Sequence, residues 1–347
     1  PPTTAAQRLF RAAMDRWDEP AADAAITALA RAGGANEIFE LFYEYGCRDF
    51  RSIGHKAIYV ANAQRTLACI GWRHAEPILR SLAYALLNHE GEPNPSQHDL
   101  DPDAIGRRNQ QRLTQIGDAW LDGRCDDDAT AELLGVLRAS TADEACDHVV
   151  ALLNRGISPQ SIWDAVHTSA GELLMRQPGI VALHAVTTSN ALHFAFRASG
   201  HDPTRRLLLL QNVAFLRLFH QAMQGRGKVG DDRWNAFEPA SVASDPERAL
   251  DEIFADVGRL PIAAAGKALG FLHHAPASTL INRARQLVCL KATDSHDYKF
   301  SSAVLEDYHA LSPGWRERYL AMSVFKLCGS AAPDNPLVAR TREALRA

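Results

Sequence analysis

Apolar residues in this chain recur almost everywhere at i, i+3, i+4 and i+7, and that period alone excludes most folds. It runs through AADAAITALARA (21–32), AEPILRSLAYALL (75–87), TAELLGVLRA (130–139) and ACDHVVALLNRG (145–156). Start signals agree with it. Ser158-Pro159, Ser312-Pro313, Asp202-Pro203 and Asp245-Pro246 each set a capping side chain before a proline at the first helical position. Alternating β-branched runs between turn residues are nearly absent. The expectation is an all-α chain of about fifteen helices, forming a single multi-helix domain. Loops are expected at 90–108, 123–128, 225–247 and 329–336, the first and third long enough to cover an active site.

A repeat organises the middle of the chain. IGHKAIYVANAQRTLACIGWRHAEPILRSLAYAL (53–86) carries His55, then Asn62-Ala63, a Gly71 turn and His74 opening the next helix. VALHAVTTSNALHFAFRASGHDPTRRLLLLQNVAF (181–215) carries His184, then Asn190-Ala191, a Gly200 turn and His201. LHHAPASTLINRARQLVCLKATDSHDYKFSSAVL (272–305) carries His273-His274, then Asn282, and His296 opening the next helix. Each unit reads as a helical hairpin with a histidine near the start of its first helix. Pseudo-repeated hairpins at 51–310 then form the core, with N-terminal helices at 1–50 and C-terminal helices at 311–347.

Composition removes several classes of function. A net charge of −4 without a long Lys/Arg cluster gives no reason to expect nucleic acid. RRLLLLQNVAFLRLF (205–219) is broken by Gln211, Asn212 and Arg217, so no run is apolar enough to span a bilayer. The six cysteines form no CxxC pair, which argues against a zinc ribbon or a thioredoxin-type site, and a core this large does not require disulfides. The chain opens on PPTTAAQ without Met or signal peptide. It reads as soluble, the cytoplasm ahead of a processed exported form. Oligomeric state is not legible.

The histidines number fourteen, and their placement decides what they mean. Taken singly, His55, His184 and His274 (or its neighbour His273) read most simply as core histidines bonded to a carbonyl. Equivalent placement in three hairpins instead favours a shared metal site, since neutral imidazole is a common ligand of Fe, Zn and Cu. His74 and His201 suit capping or surface roles, and His193 suits the core. In TDSHDYKF (293–300), His296 and Lys299 stand three apart, on one face of a helix start. Lys299 reads equally well as a solvent-facing lysine. Other signatures fail: GRGKVG (225–230) follows a helix rather than a strand, and Glu306…His309 is a lone ExxH. There is no HExxH and no GxSxG.

At LHAVTTSNAL together with DSHDYKF the chain resembles the questin oxidase-like family. IGHKAIYVANA, LHAVTT, LHHAPAST and DSHDYK stand where that family has its histidine segments and its late Asp-x-His-x-x-Lys segment, over roughly residues 50–310. The resemblance implies a helical, mononuclear non-haem-iron oxygenase that uses O2 to cleave a carbon–carbon bond in an aromatic polyketide such as an anthraquinone. It implies His55, His184, His274, His296 and a carboxylated Lys299 as ligands of Fe(II). A lysine ammonium has no lone pair, so only its carbamate, formed with CO2, presents oxygen donors. Tyr59, Trp72, Phe194 and Tyr298 lie near these ligands in sequence and are candidates to line a substrate pocket, although each also suits core packing. Two alternatives stay open: a zinc-dependent hydrolase on the same site, and a non-enzymatic helical-repeat interaction protein whose histidines are structural.

Overall fold

The computed structural model describes residues 3–346. Among the described residues the chain is all-helical, with α1 (Thr3–Arg16), α2 (Glu19–Ala32), α3 (Ala35–Gly46), α4 (His55–Ile70), α5 (Ala75–Leu87) and α6 (Asp101–Arg112). There follow α7 (Asp127–Ala139), α8 (Ala142–Asn154), α9 (Pro159–Arg176), α10 (Ile180–Ala198) and α11 (Asp202–Gln224). The rest of the chain forms α12 (Pro246–Asp256), α13 (Pro261–Leu272), α14 (Ala277–Lys291), α15 (Ser295–Asp307), α16 (Pro313–Ser323) and α17 (Pro336–Ala344). No strand occurs among them; a single isolated bridge pairs Arg124 with Ile157.

Helices begin at all four Ser-Pro and Asp-Pro signals, and Ser158 accepts a first-turn N–H, but Ser312 makes no side-chain cap bond, its hydroxyl donating to Asp164 instead. Asp18, Asp126, Asp245 and Asp294 each accept a backbone N–H of the first turn they precede. Thr141 and Glu144 complete a reciprocal capping box at α8. One expectation needs correction. Residues 90–108 are not all loop, because α6 begins at Asp101 with Pro102 in its first turn. The Asp-Pro signal used elsewhere was present there too, hidden among the polar residues around it.

The chain groups into two compact units, whose boundaries fall inside α9, α10 and α11. The first comprises residues 1–162 and 191–219. Here α2 packs on α1 and α5, and α3 on α4, around Phe10, Met14, Ile26, Phe39 and Phe42. The second comprises 163–190 and 220–347. In it α13 packs on α12 and α16, and α15 on α14 and α16, around Trp163, Phe254, Phe300 and Tyr319.

Two glycines of α13 explain how the long segment before α12 is held. The Ala240 N–H donates to the Gly266 carbonyl at 2.9 Å. A Cβ at Gly270 would stand 2.0 Å from the Ala240 carbonyl oxygen, a separation only glycine allows. Gly270→Ala is therefore expected to lower stability by ~1–3 kcal/mol, as overpacking against backbone does. A thermal melt followed by circular dichroism checks this; an unchanged midpoint would contradict the close approach.

Candidate metal centre

His55 is the first residue of α4, and the backbone leading into it is unusual. Ser52 (φ 48°), Ile53 (φ 47°) and Gly54 (φ 79°) are three successive residues in the left-handed region. The run folds the Ser52 carbonyl back onto the ring, where His55 Nδ1–H donates to it. The Tyr59 ring lies one turn further along, its centroid 5.6 Å from that of His55.

His184 lies on α10 and is fully buried, at 0% exposure. Its Nδ1–H donates to the Ile180 carbonyl at 2.7 Å, so the lone pair resides on Nε2. Lys299 Nζ stands 3.2 Å from that Nε2 and donates to it. His296 sits in the first turn of α15, its ring centroid 5.3 Å from that of His184. Its Nδ1 is 3.4 Å from an Asp294 carboxylate oxygen. Asp294 also caps α15, accepting the His296 N–H at 2.7 Å. One ring nitrogen from each of His55, His184 and His296 lies within 4.8 Å of the other two.

The three imidazoles thus share a second property: each has its Nδ1 beside an oxygen acceptor. Metal-binding histidines have this arrangement, because the outer hydrogen bond fixes the tautomer and aims the other nitrogen. Nitrogens about 2.1 Å from one ion stand at most ~4 Å apart, against the 4.8 Å within which these three lie.

Lys299 completes the picture electrostatically. The amine is half-buried, and burial alone depresses its pKa from 10.5 to about 8. Its polar contact is the His184 ring, and among the described residues no carboxylate pairs with it. Lys56 differs: it too is lowered to about 8, again chiefly by burial, but its ammonium lies 2.8 Å from Asp49. An unpaired ammonium in a poorly hydrated place is the form most ready to lose its proton.

The same two helices meet again further along. Asn190 Nδ2 on α10 donates to Asp307 at 2.7 Å and to Glu306 at 3.0 Å on α15. Tyr319 donates to the other Asp307 oxygen at 2.8 Å, and the buried His167 Nδ1 is 3.5 Å from it. Burial holds His167 down to about 4, hence neutral. Sequence reading missed this cluster. Glu306 was visible as part of ExxH, but the side chains that bond Asp307 come from α10 and α16.

His274 requires correction as an expected ligand. His273 and His274 are both exposed, in the turn after α13, and neither joins the group of three. Pro276 caps α14, so this histidine pair precedes the helix it was expected to open. The pair lines a separate cavity of about 520 Å³ with Ser241, Ser244, Gly270 and Phe271. Among the aromatic candidates, Tyr59 and Tyr298 are 43% and 45% exposed, so neither is core. Trp72 occupies the short turn before α5, and Phe194 lies under the Arg65 guanidinium at 4.3 Å. His74 stands at the cap of α5 with its ring bonded to Arg73 rather than to the first turn, whereas His201 Nδ1 meets the Thr204 hydroxyl at 2.9 Å. His193 is buried, as expected.

No protein-family profile, curated protein or solved structure matches this chain. No helix among the described residues is long and apolar enough to cross a membrane.

Proposed function

We propose that this protein is a metal-dependent oxidoreductase, a non-haem-iron oxygenase acting with O2 on an aromatic, anthraquinone-like substrate. The observation that carries the metal is the group of three imidazoles whose Nδ1 atoms each face an oxygen acceptor. Iron and the aromatic substrate rest on the resemblance of LHAVTTSNAL and DSHDYKF to the questin oxidase-like family.

In this reading His55, His184 and His296 hold the ion, and Lys299 supplies an oxygen donor after reaction with CO2. His184 Nε2 has one lone pair, which Lys299 now occupies as a donor. The amine must leave that position for an ion to use it. Its neutral form attacks the carbon of CO2, a nitrogen–carbon bond forms, one carbon–oxygen π bond opens to an anionic oxygen, and the displaced N–H proton leaves to water. The resulting carbamate is a carboxylate-like ligand that complements three neutral imidazoles. When bound, iron(II) supplies the O2 chemistry. The exposed rings of Tyr59 and Tyr298 are suited to stack against a flat aromatic substrate.

Purified protein reconstituted anaerobically should retain about one first-row metal ion per chain, and the Fe(II) form should consume O2 when given a hydroxyanthraquinone. Anomalous scattering on crystals would place the ion against His184 Nε2. Retention of zinc without O2 uptake would move the assignment to a hydrolase. Protein that stays metal-free with Fe(II), Zn(II) and Mn(II), and is indifferent to chelators, would leave a non-enzymatic interaction protein.

A further inference from the structure

The entry to α4 is poor by the usual standards of helix starts. Its N-cap is Gly54, with no side-chain hydrogen bond to the first turn. Ser, Asp or Asn would add a side-chain bond to the first turn, as Asp residues do at α2, α7, α12 and α15. Instead the chain places Ile53 at φ 47°, ψ 47°. A β-branched side chain there is a genuine outlier, and such strain persists only where surrounding structure over-determines it.

The surrounding structure does so with buried charge. Arg51 is 2% exposed. Its guanidinium grips Asp103 with two bonds of 2.9 and 2.6 Å, donates to Glu92 at 2.8 Å, and lies 3.4 Å from Asp49. Asp49 in turn takes Lys56 at 2.8 Å. The Ser52 hydroxyl donates to Glu90, so both residues flanking the Arg51–Ser52 peptide bond are tied to the segment that follows α5. The left-handed run is thus pinned on one side by Arg51 and on the other by Lys56. One contact that this arrangement makes is the Ser52 carbonyl on His55 Nδ1.

We infer that Arg51 is a positioning residue: anchored to Asp103 and Glu92, it holds the strained Ser52–Gly54 run so that the Ser52 carbonyl fixes the His55 ring as its Nδ1–H tautomer. The consequence for metal affinity rests on His55 being a ligand, as proposed above. The tautomer itself does not. A bidentate grip matters because Lys in place of Arg keeps the charge but loses the planar fork. Strain matters because an isoleucine left to itself favours right-handed or extended backbone, so without the Arg51 anchor residue 53 would relax and carry the carbonyl away from the ring.

The test uses the full-length chain with ¹⁵N-labelled histidine, and compares wild type with Arg51→Lys, Glu92→Gln, Ile53→Gly and the Arg51→Lys/Ile53→Gly double variant. In wild type, long-range proton–nitrogen correlation should show His55 protonated at Nδ1. Arg51→Lys loses the fork that opposes the strain, so its His55 signal should move toward a tautomer mixture, and Co(II) affinity should fall ~10-fold or more, with an altered visible Co(II) spectrum. Glu92→Gln loosens one half-exposed arm of the same grip and should shift the signal in the same direction by less. Ile53→Gly removes the strain, because glycine takes the left-handed region freely, so it should keep the wild-type tautomer with a melting temperature equal to or above that of wild type. In the double variant glycine should restore most of the tautomer and affinity that Arg51→Lys loses. Wild-type tautomer in both Arg51→Lys and Glu92→Gln, or a double variant no better than Arg51→Lys, overturns the inference. If wild type binds no Co(II) but the tautomer shifts in Arg51→Lys, the positioning role stands and the ligand role of His55 falls. If wild type binds Co(II) and neither readout moves in Arg51→Lys, the positioning role falls and the metal centre stands.

Discussion

His184→Ala is expected to strip the protein of metal while leaving most of its helix content in place. His184 is fully buried, with Nδ1 tied to Ile180 and Nε2 facing the position an ion would take. Loss of a ligand should cost more affinity than the ~10–100-fold typical of losing an outer-shell partner. The fold loses less. Removing the ring leaves the Ile180 carbonyl and the Lys299 amine each short of a partner, a cost of ~1–3 kcal/mol. A domain stable by about 5–15 kcal/mol survives that. Metal content measured beside far-ultraviolet circular dichroism separates the two effects. A variant that unfolds, from a wild type that never held metal, would make His184 a core residue whose role is to satisfy its neighbours.

The second large effect concerns Lys299. Lys299→Met removes the amine and supplies no oxygen donor, so metal affinity should drop by at least ~10–100-fold. Lys299→Glu should retain part of it, because a carboxylate imitates a carbamate, although the shorter side chain places it imperfectly. Wild-type binding should weaken when CO2 is removed and recover with bicarbonate; Lys299→Met should ignore both. The pH dependence follows from burial. The amine loses its proton near 8 rather than 10.5, and only the neutral form attacks CO2. Bicarbonate-dependent metal uptake should therefore rise as pH passes upward through about 8. Stability without metal has the same sign. Between about 8 and 10.5 the unfolded chain still holds the lysine proton that the folded chain has released, so stability increases with pH across that window. Equal metal retention by Lys299→Met and wild type, with or without bicarbonate, would remove Lys299 from the site.

Much of this architecture is legible in the sequence because helices announce themselves locally. Ser-Pro and Asp-Pro starts and the 3.6-residue period need no knowledge of tertiary structure, and α6 was missed only because its Asp101-Pro102 start lay among residues polar enough to resemble a loop. His55, His184, His296 and Lys299 were legible through their places at or near helix starts. His274 was not, since spacing cannot tell whether a helix begins before or after Pro276. The Asn190–Asp307–Tyr319 cluster was beyond reach for another reason. Asn190 and Asp307 are 117 residues apart, and no local pattern records such a meeting. The left-handed run at 52–54 is a mixed case: Gly54 hints at it, but Ile53 argues against it, and only the buried charges around Arg51 reconcile the two.

The paired contacts of α10 and α15 have a mechanical consequence. His184 meets Lys299 and Asn190 meets Glu306 and Asp307, so the partners are six residues apart on one helix and seven or eight on the other. Both contacts advance in the same chain direction, so the helices run parallel, with about 9–12 Å between the two points along their axes. Two such marks act like a pair of dowel pins. A slide of one helical turn, or a one-residue insertion between Lys299 and Glu306, can satisfy at most one of them. The distant amide–carboxylate pin thereby indexes the depth at which the Lys299 amine reaches His184, and the precision of that meeting is set two turns away from it.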